Sequence, residues 1–172
     1  MCVLLLFGSR GGTTTELLQM ALRQVYGWQE LPPIARAERG KPYFPGCPQV
    51  HFNYSHSREL ILCALSDAPV GVDLEWVRPR RPGLPRFCLA EEELAWYEGR
   101  GSQWEDFYTL WTRREAWCKY SGRGLASLGR RALPRELQFT ALSGPGWRGA
   151  VCAEERPQGE IKWLTGEAGK ND

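Results

Sequence analysis

Val70-Gly71-Val72-Asp73-Leu74-Glu75 is the stretch on which the reading of the chain turns. Its residues alternate with the period of a β-strand, so Val72 and Leu74 point to one face while Asp73 and Glu75 point to the other. Two carboxylates on one strand face either call for a cation or mark a solvated sheet edge, and these six residues leave both readings open. Just before them, the short polar run Ser66-Asp67-Ala68-Pro69 follows an apolar stretch, Leu60 to Leu65. That run is the expected junction between two halves, 1–68 and 69–172.

Working upstream, Cys2-Val3-Leu4-Leu5-Leu6-Phe7 is expected to be a first strand. It is far shorter than the roughly 20 apolar residues of a membrane span and lacks the basic flank of a signal peptide. Ser9-Arg10-Gly11-Gly12 breaks the pattern, and Thr13 to Thr15 can cap a helix carrying Leu17, Leu18, Ala21, Leu22 and Val25 at helical spacing, with Gly27 as its end. Pro32, Pro33 and a turn-rich run from Arg39 to Pro48 lead into a strand pair, His51-Phe52-Asn53-Tyr54-Ser55 and the apolar run after it.

Downstream, residues 90–97 predict a short helix with acids in its first turn, where the helix dipole favours them. A longer helix is predicted from Glu105 to about Tyr120, with Phe107, Leu110, Trp111, Ala116 and Trp117 as its apolar stripe and Ser121-Gly122 as its stop. Short strands are expected at 137–140, 147–152 and 160–164, and the polar residues 166–172 are expected to be loose. Strand, helix and strand pair thus recur loosely in both halves, and the fold class is α+β.

The 172 residues are 42% hydrophobic, enough for one core or two small lobes. A net charge of +2 argues against a broadly basic surface for nucleic acid, although Arg78-Pro79-Arg80-Arg81-Pro82 is locally basic. Six scattered cysteines with no CxxC pair read as buried free thiols of a reduced cytoplasmic protein. His51 and His56, five apart on one strand, face opposite ways and make a poor zinc pair. His56 is read either as a structural histidine or as a donor to phosphate.

In Trp111-Thr112-Arg113-Arg114-Glu115-Ala116-Trp117-Cys118-Lys119, Glu115 and Lys119 are spaced i, i+4 and share a helix face. In isolation they form a surface ion pair contributing a few tenths of a kcal/mol. Taken with Asp73 and Glu75, Glu115 is a third hard oxygen ligand beside a lysine, a set that suits magnesium and phosphate better than zinc.

Four stretches in order, Gly40-Lys41-Pro42, Phe52-Asn53-Tyr54-Ser55-His56-Ser57, Val70 to Glu75, and Phe107 to Lys119 followed by Gly122-Arg123-Gly124-Leu125, resemble the motifs of the Sfp-type 4'-phosphopantetheinyl transferases. The resemblance covers roughly residues 40–125. It implies two similar α+β lobes in a pseudo-twofold arrangement, acting as a monomer, with coenzyme A and magnesium in the cleft between them. By motif position it implies Asp73, Glu75 and Glu115 as magnesium ligands, Lys119 as a phosphate contact, and Lys41, Ser55 and His56 as the grip on the nucleotide end. Glu115 is then the base, and with Lys119 makes the catalytic pair. The implied reaction moves the 4'-phosphopantetheine arm onto a serine of an apo acyl or peptidyl carrier protein, with no nucleic acid or membrane involved.

Two features depart from the family pattern. Arg114 stands where lysine is usual, which keeps the charge but offers a planar fork, and it is retained as a candidate phosphate contact. Family members are generally longer and carry extra bases near the N-terminal helix, whereas Ser9 to Thr15 is nearly uncharged here; Arg10, Arg36 and Arg39 are the candidates to compensate. The loop 78–86 falls where the family docks its acidic carrier. Two other readings use the same residues: a coenzyme A-binding protein with impaired catalysis, and a magnesium-dependent phosphohydrolase.

Overall fold

Thr13 starts the first helix through a reciprocal cap. Its hydroxyl accepts from the Glu16 amide at 3.1 Å while the Glu16 carboxylate accepts from the Thr13 amide at 2.6 Å. Helix α1 then runs Thr14–Tyr26 and ends on Gly27, whose φ of 71° is a left-handed conformation that glycine adopts without strain. It follows β1 (Leu4–Arg10) and is followed by a small hairpin of β2 (Ala35–Arg36) and β3 (Pro42–Tyr43), turned at Gly40. The chain continues through β4 (His51–Ser57), β5 (Leu60–Ser66), β6 (Val70–Trp76), α2 (Leu84–Cys88), α3 (Glu91–Gly99) and α4 (Trp104–Ser121). It closes with β7 (Gln138–Gly144), β8 (Trp147–Ala153) and β9 (Lys162–Trp163).

This computed structural model describes residues 4–124 and 129–164. The expected start of the first strand at Cys2 and Val3, Leu125 of the glycine motif and the tail 166–172 lie outside the described residues.

One sheet has the order β4-β5-β1-β9 and another β6-β8-β7. Strand β5 is buried along its whole length because it is covered on both faces. Ile61, Cys63 and Leu65 meet Phe7 and the α1 residues Leu17, Leu18, Ala21 and Leu22. Leu60, Leu62 and Ala64 turn the other way, onto Val70, Val72 and Leu74 of β6 and Val151 of β8. The second sheet's outer face carries α4, through Ala116 against Ala150 and Cys152. The mixed α+β class is as expected, and the layers run helix, sheet, sheet, helix.

Several expectations shift in detail. The Pro/Arg loop contains a one-turn helix, α2, with Pro85 in its first turn, where a missing N–H does no harm. Strands β7 and β8 extend to a turn at Gly146. Strand β9 is only two residues long and pairs in parallel with β1, so this piece of the second half completes the first half's sheet. Division at residue 68 does not describe that segment.

Candidate active site

The site begins with an absent side chain. Gly71 lies where β6 passes under α4, and a Cβ there would collide with the Ala116 carbonyl oxygen and the Tyr120 amide nitrogen. Glycine therefore lets the helix sit against the strand. That approach carries Lys119 to the same strand face as Asp73, where Lys119 Nζ donates to Asp73 Oδ1 at 2.8 Å. Glu115, one turn earlier, shares the helix face.

Asp73 is 4% exposed. Its Oδ1 also accepts from Ser55 Oγ at 2.9 Å, while its Oδ2 is buried and makes no hydrogen bond. Burial raises its pKa; Lys119 and the bonds from Ser55 and the Leu74 amide oppose the rise. Glu115 is pushed up from 4.5 to about 7, first by burial, then by repulsion from Asp73 and Glu75, against the pull of Lys119. The acids therefore crowd one another electrostatically, and Ser57 Oγ donates to Glu75 Oε2 at 3.1 Å.

An orphaned buried carboxylate oxygen and mutually repelling acids fit a hard divalent cation. Among the described residues, no group of three His, Cys, Asp or Glu side chains is placed to hold a metal on its own. That is compatible with magnesium, which is usually held by one or two carboxylates together with water and substrate phosphates.

Beside these residues opens a cleft of about 400 Å³ whose lining includes Glu115, Lys119, Lys41, Arg36, Arg39 and Arg123. Lys41 bridges the halves, donating to Tyr120 O at 2.6 Å and Val70 O at 3.3 Å, and burial lowers its pKa to about 8. Cys118 also lines the cleft, but burial pushes its thiol up to about 11, which keeps it protonated and unsuited to attack. The described cysteines, Cys47, Cys63, Cys88, Cys118 and Cys152, are free thiols.

Some residues assigned from sequence stand elsewhere. Arg114, read as a candidate phosphate contact, is 1% exposed; it pairs with Glu93 at 2.6 Å and donates to the carbonyls of Gly129 and Arg131. Its fork is consumed in holding α3 and the 129–131 segment to α4, so it is corrected to a structural residue. Ser55 is turned onto Asp73 and the Leu74 amide, and His56 is exposed; the cleft wall on β4 is formed by Asn53 and Tyr54. Of the compensating arginines, Arg36 and Arg39 reach the cleft, whereas Arg10 lies over the Trp163 ring. Asn53, Tyr54 and Arg123 were not singled out from sequence.

Together these features define an α+β protein with a carboxylate and lysine pair at the edge of a cation-lined cleft. The family model of the 4'-phosphopantetheinyl transferase superfamily matches residues 69–166, more than half of the chain, and the chain belongs to that superfamily. It is 35% identical over 91 residues to a 4'-phosphopantetheinyl transferase of Bacillus subtilis, and 33% identical over 91 residues to 4'-phosphopantetheinyl transferase Sfp of Bacillus subtilis strain 168. Each match covers 52% of this chain and 41% of the relative. It is 37% identical over 97 residues to 4'-phosphopantetheinyl transferase AcpT of Salmonella typhimurium, covering 54% of this chain and 50% of that protein. The chain thus spans half or less of the length of these curated relatives.

Proposed function

We propose that this protein transfers the 4'-phosphopantetheine arm of coenzyme A to a serine of an apo acyl or peptidyl carrier protein, releasing adenosine 3',5'-bisphosphate as a holo-acyl-carrier-protein synthase does. The observation that carries this reading is the convergence of Asp73, Glu115 and Lys119 at a cleft lined by five cationic side chains. Those cations suit a nucleotide bearing a diphosphate and a further phosphate. Magnesium drawn by Asp73, Glu75 and Glu115, with one or two of these carboxylates ligating it beside the substrate phosphates, would when bound neutralise the diphosphate and the departing nucleotide.

Lys119 has three donors, of which Asp73 Oδ1 takes one, leaving donors to orient phosphate oxygens. The serine oxygen attacks the phosphorus bearing the arm as Glu115 accepts the serine proton, directly or through a water. The bond from that phosphorus to the bridging oxygen breaks, and the electron pair leaves with the nucleotide. A carboxyl raised to about 7 in the metal-free protein is a better proton acceptor than an ordinary glutamate, and a nearby cation draws it back down.

Around this centre we further propose a cytoplasmic monomer whose two α+β lobes, 1–68 and 69–172, are related by a pseudo-twofold, with β9 crossing back. Arg78, Arg80 and Arg81, all exposed just beyond β6, would steer an acidic carrier towards the cleft. The deciding experiment mixes the protein with coenzyme A, magnesium and apo carriers of several types and follows the carrier's mass. A gain of the pantetheine arm is expected. No gain on any carrier sinks the transferase reading, and nucleotide release without a carrier supports a phosphohydrolase instead.

A further inference from the structure

Strands β4 and β6 belong to different sheets, with no backbone ladder between them. Side chains make the join. Asn53 Oδ1 accepts from the Val72 amide at 2.8 Å, Ser55 Oγ from the Leu74 amide at 3.3 Å, and Ser57 Oγ from the Trp76 amide at 3.2 Å. Three acceptors at i, i+2 and i+4 thus meet three edge amides at the same spacing, and they satisfy donors that an open sheet edge would leave unpaired.

Two of these rungs have a second partner. A serine hydroxyl carries one proton and two lone pairs, so an oxygen that accepts a backbone N–H still has a proton to direct. Ser55 directs its proton to Asp73 Oδ1 at 2.9 Å, and Ser57 directs its proton to Glu75 Oε2 at 3.1 Å. Each serine therefore anchors a strand edge and fixes a carboxylate rotamer with one hydroxyl.

We infer that Ser57, alongside Ser55, is a positioning residue that aims the Glu75 and Asp73 carboxylates for a divalent cation, so that the first half of the chain sets the metal-holding acids of the second. This rests on the magnesium reading above. Glu75 is the more sensitive of the two acids, being half-exposed, whereas Asp73 is buried and also held by Lys119. Without Ser57's hydroxyl, Glu75 must lose rotamer freedom each time it takes a cation.

The test titrates Mn²⁺ into the 172-residue chain, with the same excess of coenzyme A in every sample, and reads free Mn²⁺ by its electron paramagnetic resonance signal. Denaturation midpoints are measured in parallel. Ser57→Ala and Ser57→Val should weaken Mn²⁺ binding about tenfold or more, the range seen when outer-shell partners of metal ligands are removed. Ser57→Thr, which keeps the hydroxyl and differs from the Val variant in little else, should restore it. Mn²⁺ affinity unchanged in the Ala and Val variants, with only a lower denaturation midpoint, makes Ser57 a staple of the seam and overturns the inference. A wild-type protein with no saturable Mn²⁺ binding instead defeats the magnesium reading itself, and this inference with it.

Discussion

Helices α1 and α4 each cover the outer face of a sheet, yet they meet it with opposite chemistry. Leu17, Leu18, Ala21 and Leu22 of α1 lie on Phe7, Ile61, Cys63 and Leu65, an apolar contact with no ionisable carboxyl or ammonium group in it. Under α4 the strand instead offers Gly71, Asp73 and Glu75, and the helix answers with Ala116, Glu115 and Lys119. The first contact gains stability from hydrophobic burial. The second gives part of that up to hold charges that repel one another or leave a carboxylate oxygen unpaired, the pattern that marks a candidate functional site apart from a core.

The largest effect expected from breaking that difference is on rate. Glu115→Gln keeps the shape of the side chain but removes its negative charge and its ability to accept a proton, and transfer should fall by at least about 100-fold. Near-normal turnover would take Glu115 out of the chemistry. Stability should move the other way. A carboxyl raised from 4.5 to about 7 contributes stability that is fully present below pH 4.5 and lost as pH rises through 7. The shift corresponds to about 3 kcal/mol at full burial, and screening around this half-buried group reduces it to about 1–2 kcal/mol. Metal-free Glu115→Gln should therefore be more stable than wild type at pH 8, by about that amount, and gain nothing at pH 4; chemical denaturation at the two pH values reads this directly.

Two substitutions of similar energetic weight compare the helix contacts themselves. Gly71→Ala drives a methyl into the backbone of α4 and should destabilise by about 3 kcal/mol, at the upper end for overpacking. Leu22→Ala leaves a cavity under α1 and should lose about 3 kcal/mol as well. Their activities should part. At a temperature where both remain folded, Leu22→Ala keeps wild-type turnover per folded molecule, whereas Gly71→Ala loses most of it because Lys119 and Glu115 are lifted from Asp73. Equal activities would mean that the close approach at Gly71 serves packing alone.

The same contrast explains what could be read in advance. Helix ends were legible because Thr13, Gly27 and Gly122 act locally, and the acidic face of β6 was legible because alternation has a period of two. Glu115 and Lys119 were found by their i, i+4 spacing. Arg114 was misread for a physical reason: one residue along a helix is a rotation of about 100°, which takes it off the Glu115 face and onto Glu93, a partner 21 positions away in sequence. Arg36 and Arg39 reach the cleft on a hairpin of two-residue strands, too short to carry a period. Ser55 and Ser57 face a strand of the other sheet, and their carboxylate partners 18 residues on leave no local signature.

The halves also differ in how the chain leaves them, and here the smallest effect is expected. Strand β5 exits through the short 67–69 turn, whereas β6 runs into an exposed stretch with Arg78, Arg80 and Arg81, followed by Phe87 at 79% exposed. Arg80 is steadied by donating to Tyr108 Oη at 3.2 Å, and Arg86 is already paired with Glu98. Exposed charges of this kind act on encounter rate more than on the bound state. Reversing Arg78, Arg80 and Arg81 to Glu should lower kcat/KM for an acidic carrier by about tenfold at low ionic strength, while the KM for coenzyme A stays as it was. Because the Debye length falls from about 10 Å at 0.1 M salt to about 3 Å at 1 M, the deficit should shrink as salt is added. A deficit that salt leaves untouched would point to lost contacts in place of steering, and no deficit at all would leave the loop without a part in carrier recognition.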